Sequence, residues 1–391
     1  MNFNAISGEN TMNQVRKTGA VFLAVMLLLA GCSSVSKTSS TESPVISAAD
    51  VKAPTRTITD VLGRKVEIPA TIHSILCNGP GALRLVCYAQ AQDLVIGVED
   101  VVKKNLNTVQ CPYGYAFRDR FKNLPRIGKG GGRGNTAYEE EIVKLHPDVI
   151  LSAYSADAVE SLSQKTGIPV VCITQYEGDF FGRDIEDSLT LIGEILGKQK
   201  RCAELVSYME KAEKDLNDRT KNIPDKDKSK AYAGAVSFSG GHGLEGTYAN
   251  FGPFTAINAV NVADETGEKS YFIVDMEKIL AWDPDVIFLD PSNMSFVNKE
   301  YAKDPGYFNS LTAVRDGKVY SMPSYVWYNT NIELAIADTY YAGIVLFPKQ
   351  FADVDIEAKA DEILKEFDGK AFYADMKKAG LYFGKITVGK Q

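Results

Sequence analysis

The sequence predicts an α/β protein of two similar lobes, each built on a mostly parallel sheet and joined by a long rigid helix, with a ligand cleft between the lobes. Two observations carry this. Glu140-Glu-Ile-Val-Lys-Leu-His-Pro-Asp-Val-Ile-Leu151 and Glu277-Lys-Ile-Leu-Ala-Trp-Asp-Pro-Asp-Val-Ile-Phe288 share six of twelve positions. Each reads as a short helix, a proline stop and a buried β-branched strand. Between them, Lys198 to Asn222 is charged on one face and apolar at Cys202, Leu205, Val206, Met209, Ala212 and Leu216. That pattern is an amphipathic helix of about 36 Å, long enough to act as a strut.

The elements follow in order. Ser74–Cys77 is a strand, Asn78-Gly-Pro-Gly81 its turn, Ala82–Ala91 a helix and Leu94–Val98 a second strand. The first repeat copy supplies a helix and a strand ending near Ser152, and Ile168–Ile173 is the next strand. Strands alternating with helices imply parallel pairing, and ligands of such sheets gather at the carboxyl ends of the strands. The second lobe is expected from strands at Ala231–Val236, Tyr271–Val274 and Val286–Asp290.

The N-terminal region predicts an exported, anchored protein. Arg16 and Lys17 precede the apolar run Ala20–Ala30, too short for a membrane span. Leu29-Ala-Gly-Cys32 follows, similar to the cleavage and acylation site of bacterial lipoproteins, with Met1 or Met12 as the start. The expected organisation is a signal peptide over 1–31, a Ser/Thr-rich tether over 32–56, a first lobe over 57–181, a connecting helical segment over 182–228 and a second lobe over 229–391. Acidic residues outnumber basic ones, 50 to 43. With no basic cluster, nucleic acid is excluded as a partner. Cys77, Cys87, Cys111, Cys172 and Cys202 show no metal-binding spacing.

Gly128-Lys-Gly-Gly-Gly-Arg133-Gly134 lacks the Lys-Ser/Thr ending of a phosphate loop and reads as a rim loop placing Arg133 at the cleft. Thr136–Glu139 and Thr330–Glu333 are read as capping boxes. His242 lies in a glycine-rich loop near Tyr248. With only three histidines in the chain, a direct metal site is not expected, and His242 is the one candidate for contact with a metal. Tyr325, Trp327 and Tyr328 precede a helix and offer flat apolar faces with polar edges. No nucleophile elbow or zinc motif is present, so an enzyme is not expected.

Together with Ile58-Thr-Asp-Val-Leu-Gly-Arg-Lys-Val-Glu-Ile-Pro69, the two Glu…Pro-Asp-Val-Ile units and the strut helix resemble class III substrate-binding proteins, the iron-siderophore/cobalamin (Fe/B12) periplasmic-binding family of ABC importers, over residues 57–391. The resemblance implies two Rossmann-like lobes with a small hinge motion. It implies a monomeric, extracytoplasmic lipoprotein anchored through Cys32. Its partners would be an ABC permease with its ATPase, and Glu140 and Glu277 would dock on the permease. No cofactor is expected. The substrate would be an iron or cobalt chelate: a ferric siderophore, haem or corrinoid. Asn78, Tyr113, Arg118, Arg133 and Tyr154 of the first lobe, and His242, Tyr248, Tyr325, Trp327 and Tyr328 of the second, are the expected ligand contacts. A free metal-ion receptor, a lipoprotein sensor and a chelatase-like enzyme are the alternatives.

Overall fold

A computed structural model describes residues 54–131, 136–174, 180–238 and 240–390. Cys32 and Arg133 therefore lie outside the described residues. No described helix is long and apolar enough to cross a membrane.

The chain enters through an antiparallel hairpin, β1 (Thr55–Thr59) and β2 (Lys65–Pro69). Thr55 and Arg56, the last two residues of the tether expected over 32–56, thus belong to a strand. The hairpin turn is organised by buried Asp60, which accepts from the Leu62 and Arg64 amides at 3.1 and 2.9 Å and from the Arg64 side chain. Oδ2, which takes the Arg64 side chain, also accepts from the Cys172 amide at 3.2 Å, fastening the hairpin to the first lobe.

The first lobe is a parallel sheet in the order β3 (Ile75–Asn78), β4 (Val149–Ser152), β5 (Val170–Cys172). The strand expected over Leu94–Val98 is reduced to isolated bridges of Val95 with Ile75 and of Val98 with Arg126. The strut forms over Gln199–Thr220, burying Cys202, Leu205, Met209, Ala212 and Leu216 as its apolar stripe requires. Five strands build the second lobe, where β6 (Lys230–Gly234) and β10 (Val286–Leu289) are central. β8 (Val260–Asn261) and β11 (Val319–Ser321) flank them, and β12 (Gly384–Lys385) is an antiparallel edge. Tyr271–Ile273, expected among these, instead forms β9, which pairs antiparallel with β7 (Gly246–Tyr248) outside the main sheet.

The repeat is physical. Its two helices are Glu139–Leu145 and Met276–Trp282. Each ends on a left-handed residue at the same register, His146 at φ 47° and Asp283 at φ 39°, which turns the chain before the proline. Ile142 and Ile279 are the buried anchors. The repeated Pro-Asp carboxylate then pins the neighbouring strand: Asp148 accepts from the His73 and Ser74 amides, and Asp285 from the Lys230 amide at 2.8 Å. Neither proposed capping box forms. Thr136 Oγ1 accepts from the Gly130 amide at 3.0 Å, and Glu333 is fully buried against Tyr88. The helices Ile332–Leu346 and Ile356–Asp368 fall within the 229–391 range expected for the second lobe. Their buried residues share one core with first-lobe residues such as Leu85, Tyr88 and Tyr113.

Candidate functional site

At the carboxyl edge of the five-stranded sheet lies a cavity of about 590 Å³. Its floor comes from the ends of β6 (Ala233, Gly234) and β10 (Phe288, Leu289), as expected for a parallel sheet whose strand ends leave backbone groups facing a crevice. Six aromatic side chains line it: Phe238, Tyr248, Phe251, Tyr271, Phe288 and Tyr325. Lys269 supplies the cation of the lining and Asp290 the anion. Asp290 accepts from the Ser292 amide and hydroxyl at 2.9 and 2.6 Å and from the Ser237 hydroxyl at 3.2 Å. It thereby ties the loop after β6 to the loop after β10. Burial raises its carboxyl above the usual range, and the serine donors oppose that shift.

A second cluster lies at the carboxyl edge of the first sheet. Asn78 ends β3 and is buried, and its Oδ1 has no hydrogen-bond partner among the described residues. The next residue, Gly79, donates its amide to Glu99 at 3.1 Å, and a side chain there would press on the Tyr154 ring. The other Glu99 oxygen accepts from the Tyr328 hydroxyl at 2.8 Å. Gly130 closes over this pair. It sits at φ 62°, and a Cβ would come within 3.0 Å of Glu99 and 3.1 Å of the Tyr328 hydroxyl, so only glycine fits. Burial pushes the Glu99 carboxyl up to about 7, against the pull of its two donors. The sign follows from linkage. Glu99 favours the folded state fully below about pH 4.5, and that contribution is lost as the pH rises through about 7.

Tyr328 belongs to the second-lobe segment that also walls the cavity, so one turn serves both clusters. The turn is held by Arg84, fully buried in the helix Ala82–Tyr88. Its guanidinium donates to Asn331 Oδ1 at 2.9 Å and to the carbonyls of Trp327, Tyr328 and Asn329 at 2.6, 3.2 and 3.3 Å. It also lies over the Tyr113 ring, 5.1 Å from the centroid. Behind it, burial raises the carboxyls of Glu333 and Asp368, and Arg84 opposes both shifts.

The structure sorts the sequence-predicted contacts. Tyr248 and Tyr325 line the cavity. Tyr154 and Tyr328 gather around Glu99, and Asn78 precedes the Gly79 amide that donates to it. His242 stands beside the cavity: its ring stacks on Phe238 at 4.1 Å, and Phe238 stacks on Tyr271 at 4.7 Å. Two residues are placed differently from expectation. Tyr113 is buried beneath Arg84 and packs against Trp327, so it supports the site from within the core. Arg118 folds back over the Tyr115 ring, 4.4 Å from the centroid, and donates to the Tyr115 carbonyl, away from the cavity lining. Trp327 sits at the tip of the turn, between Tyr113 and Tyr328. Sequence reasoning missed Arg84, Glu99 and Asp290. Only Asp290 had a signal, as the residue that ends the repeated strand.

Glu140 and Glu277 are exposed in the first turns of the paired helices. On either side of Glu140, Glu139 pairs with Lys165 and Glu141 with Lys144.

Residues 86–326 match the periplasmic binding protein family, and the chain belongs to that family. The molybdate-binding protein MolA of Haemophilus influenzae is 26% identical over 345 residues, covering 82% of this chain and 93% of its own length. Among solved structures, a periplasmic solute binding protein from Veillonella parvula superposes with a TM-score of 0.66 at 20% identity, covering 84% of this chain and 97% of that one. MolA bound to molybdate superposes with a TM-score of 0.62 at 23% identity, covering 81% and 99%. The periplasmic binding protein FepB from Veillonella parvula gives 0.60 at 19% identity, covering 84% and 99%. These likenesses establish the fold.

Proposed function

We propose that this periplasmic binding protein captures a metal chelate, a ferric siderophore, haem or corrinoid, and delivers it to an ABC permease. The cavity carries the reading. A volume of about 590 Å³ lies within the range of pockets for ligands of several hundred daltons. Six aromatic side chains suit flat ligand rings, and Lys269 suits a peripheral carboxylate or phenolate. Among the described residues no group of three or more His, Cys, Asp or Glu is placed to hold a metal ion.

A second reading comes from the identity to MolA: an oxyanion such as molybdate. A small tetrahedral anion needs converging donors; among the described residues this lining carries one cation, Lys269, and the hydroxyls of Ser237, Ser270, Ser324 and Thr330, but also six aromatic rings and the Asp290 carboxylate, which repels an anion. Calorimetric titration separates the two. Ferric hydroxamate and catecholate complexes, haemin and cobalamin are compared with molybdate, Fe³⁺ and Zn²⁺. Affinity tighter than about 1 μM, about −8 kcal/mol, is expected for one of the chelates alone. Such affinity for molybdate or a bare ion, with the chelates silent, overturns the proposal.

We propose further that Cys32 is acylated and tethers the protein to a membrane, and that Glu140 and Glu277 dock the permease. Intact-mass measurement of mature protein should show acyl mass on an N-terminal Cys32, lost in Cys32→Ala. A mature wild-type chain without that mass would refute the anchor.

A further inference from the structure

One wall of the cavity, formed by Tyr325, Val326 and Thr330, belongs to a turn whose tip is held by the other lobe. Val326 and Thr330 pair as an antiparallel bridge, and the Trp327 amide donates to the Asn329 carbonyl at 3.0 Å. Wall and tip are therefore parts of one tight turn. At the tip, Tyr328 and Asn329 hold φ 48° and 78°. Left-handed backbone at two consecutive non-glycine residues is costly and persists only where the surroundings fix it. Here the first lobe does so through Arg84 on the carbonyls and Glu99 on the Tyr328 hydroxyl.

Resting on the reading that the cavity is the ligand site, we propose that Glu99 is a positioning residue for binding: its carboxylate grips Tyr328, and the turn transmits that grip to the cavity wall. The two hydrogen-bond partners of Glu99, the Gly79 amide and the Tyr328 hydroxyl, are not among the residues lining the cavity. Its effect passes through the few residues between tip and wall, whose cross-turn hydrogen bonds leave little slack. Among the described residues, the groups facing Glu99 are the Gly79 amide and the Cys77 thiol on the β3 side, the Tyr154 hydroxyl beyond β4, and Tyr328 itself. None of these is a cation. The charged carboxylate makes the stronger, charge-assisted bond to Tyr328, and the neutral form a weaker one. The carboxyl titrates near neutrality, so the grip should loosen as the pH falls through about 7.

The experiment reads the turn and the cavity separately. The chain has two tryptophans, so Trp282→Phe leaves Trp327, at the tip, as the sole indole reporter. Its emission is expected to show an inflection near pH 7, and Glu99→Gln or Tyr328→Phe in the same background should abolish it. In the otherwise native chain, 8-anilinonaphthalene-1-sulfonate serves as the cavity probe. At a pH of about 8, both variants should weaken its binding at least about fivefold, the scale of one charge-assisted hydrogen bond, with far-ultraviolet circular dichroism unchanged. An inflection that survives Glu99→Gln, or probe affinities within about twofold of wild type in both variants, overturns the proposal. Val236→Phe, which fills the cavity, is the control. If it leaves probe binding intact, the reading of the cavity falls rather than the role of Glu99.

Discussion

Arg84→Ala is expected to be among the most damaging single substitutions in the chain, lowering stability by about 3–5 kcal/mol. The guanidinium is fully buried and serves four acceptors on the turn that spans the lobes. Removing it leaves the buried Asn331 Oδ1 and the three half-buried turn carbonyls without their donor, at about 1–3 kcal/mol for each that finds no replacement. It also removes the cation that opposes the raised carboxyls of Glu333 and Asp368. Without Arg84 these two acids titrate higher still. A carboxyl raised in the folded state stabilises at low pH, and that contribution is lost as the pH rises through its folded value. The deficit of Arg84→Ala should therefore be larger at a pH of about 8 than at about 5. Arg84→Lys keeps the charge but not the planar fork, and should fall between wild type and alanine. Urea unfolding followed by circular dichroism measures all three. A loss under about 1 kcal/mol for alanine, or a deficit independent of pH, would show that the network is not held by this side chain.

The parts of this architecture written locally were legible in the sequence. A Pro-Asp-Val-Ile unit is a helix stop followed by a buried strand wherever it occurs. Its recurrence marks two lobes, and the apolar stripe from Cys202 to Leu216 marks the strut. What failed were features whose partners lie far along the chain. Glu99 meets Tyr328 across 229 residues, and Tyr88 meets Glu333 across 245. Glu99 is followed by Asp100 and reads as a surface acid, whereas Glu333 lies among Ile332, Leu334, Ala335 and Ile336, an apolar run that marks it as buried without naming its partner. The misread capping box at Thr330–Glu333 has the same cause. Glu333 stands where a helix-capping carboxylate would, but Tyr88 claims it from another element. Aromatics were partly separable. Tyr248 and Tyr325 reach the cavity, whereas Tyr113 is covered by Arg84, because exposure is decided by packing that composition does not encode. The ligand cleft was expected between the lobes. The cavity walls come from residues 233–330, and the first lobe enters through the turn tip.

Reversing both repeat glutamates, Glu140→Lys with Glu277→Lys, is expected to reduce uptake at least about tenfold while leaving ligand affinity within about twofold. Both side chains are exposed at matching positions in the first turns of the two repeat helices, and neither belongs to the cavity lining. Glu139 and Glu141 already pair with lysines, so local electrostatics are served by the neighbours of Glu140 rather than by Glu140 itself. Val143 and Leu280, one turn further on, are also exposed at matching positions, giving each helix the same acidic and apolar face. Two like faces on two like lobes suit a partner made of two like halves. The fold should tolerate the change, because a lysine in a first turn opposes the helix dipole by only about 0.3–1 kcal/mol. Each single reversal should cost less than the double, since one lobe can still engage. Uptake in cells carrying the cognate permease, with ligand titration of the same purified variants, measures the two effects side by side. Normal uptake by the double variant would remove the docking assignment. A parallel loss of ligand affinity would place the damage in folding rather than at the interface. Restoration by acidic substitutions at basic positions on the permease would identify the complementary charges directly.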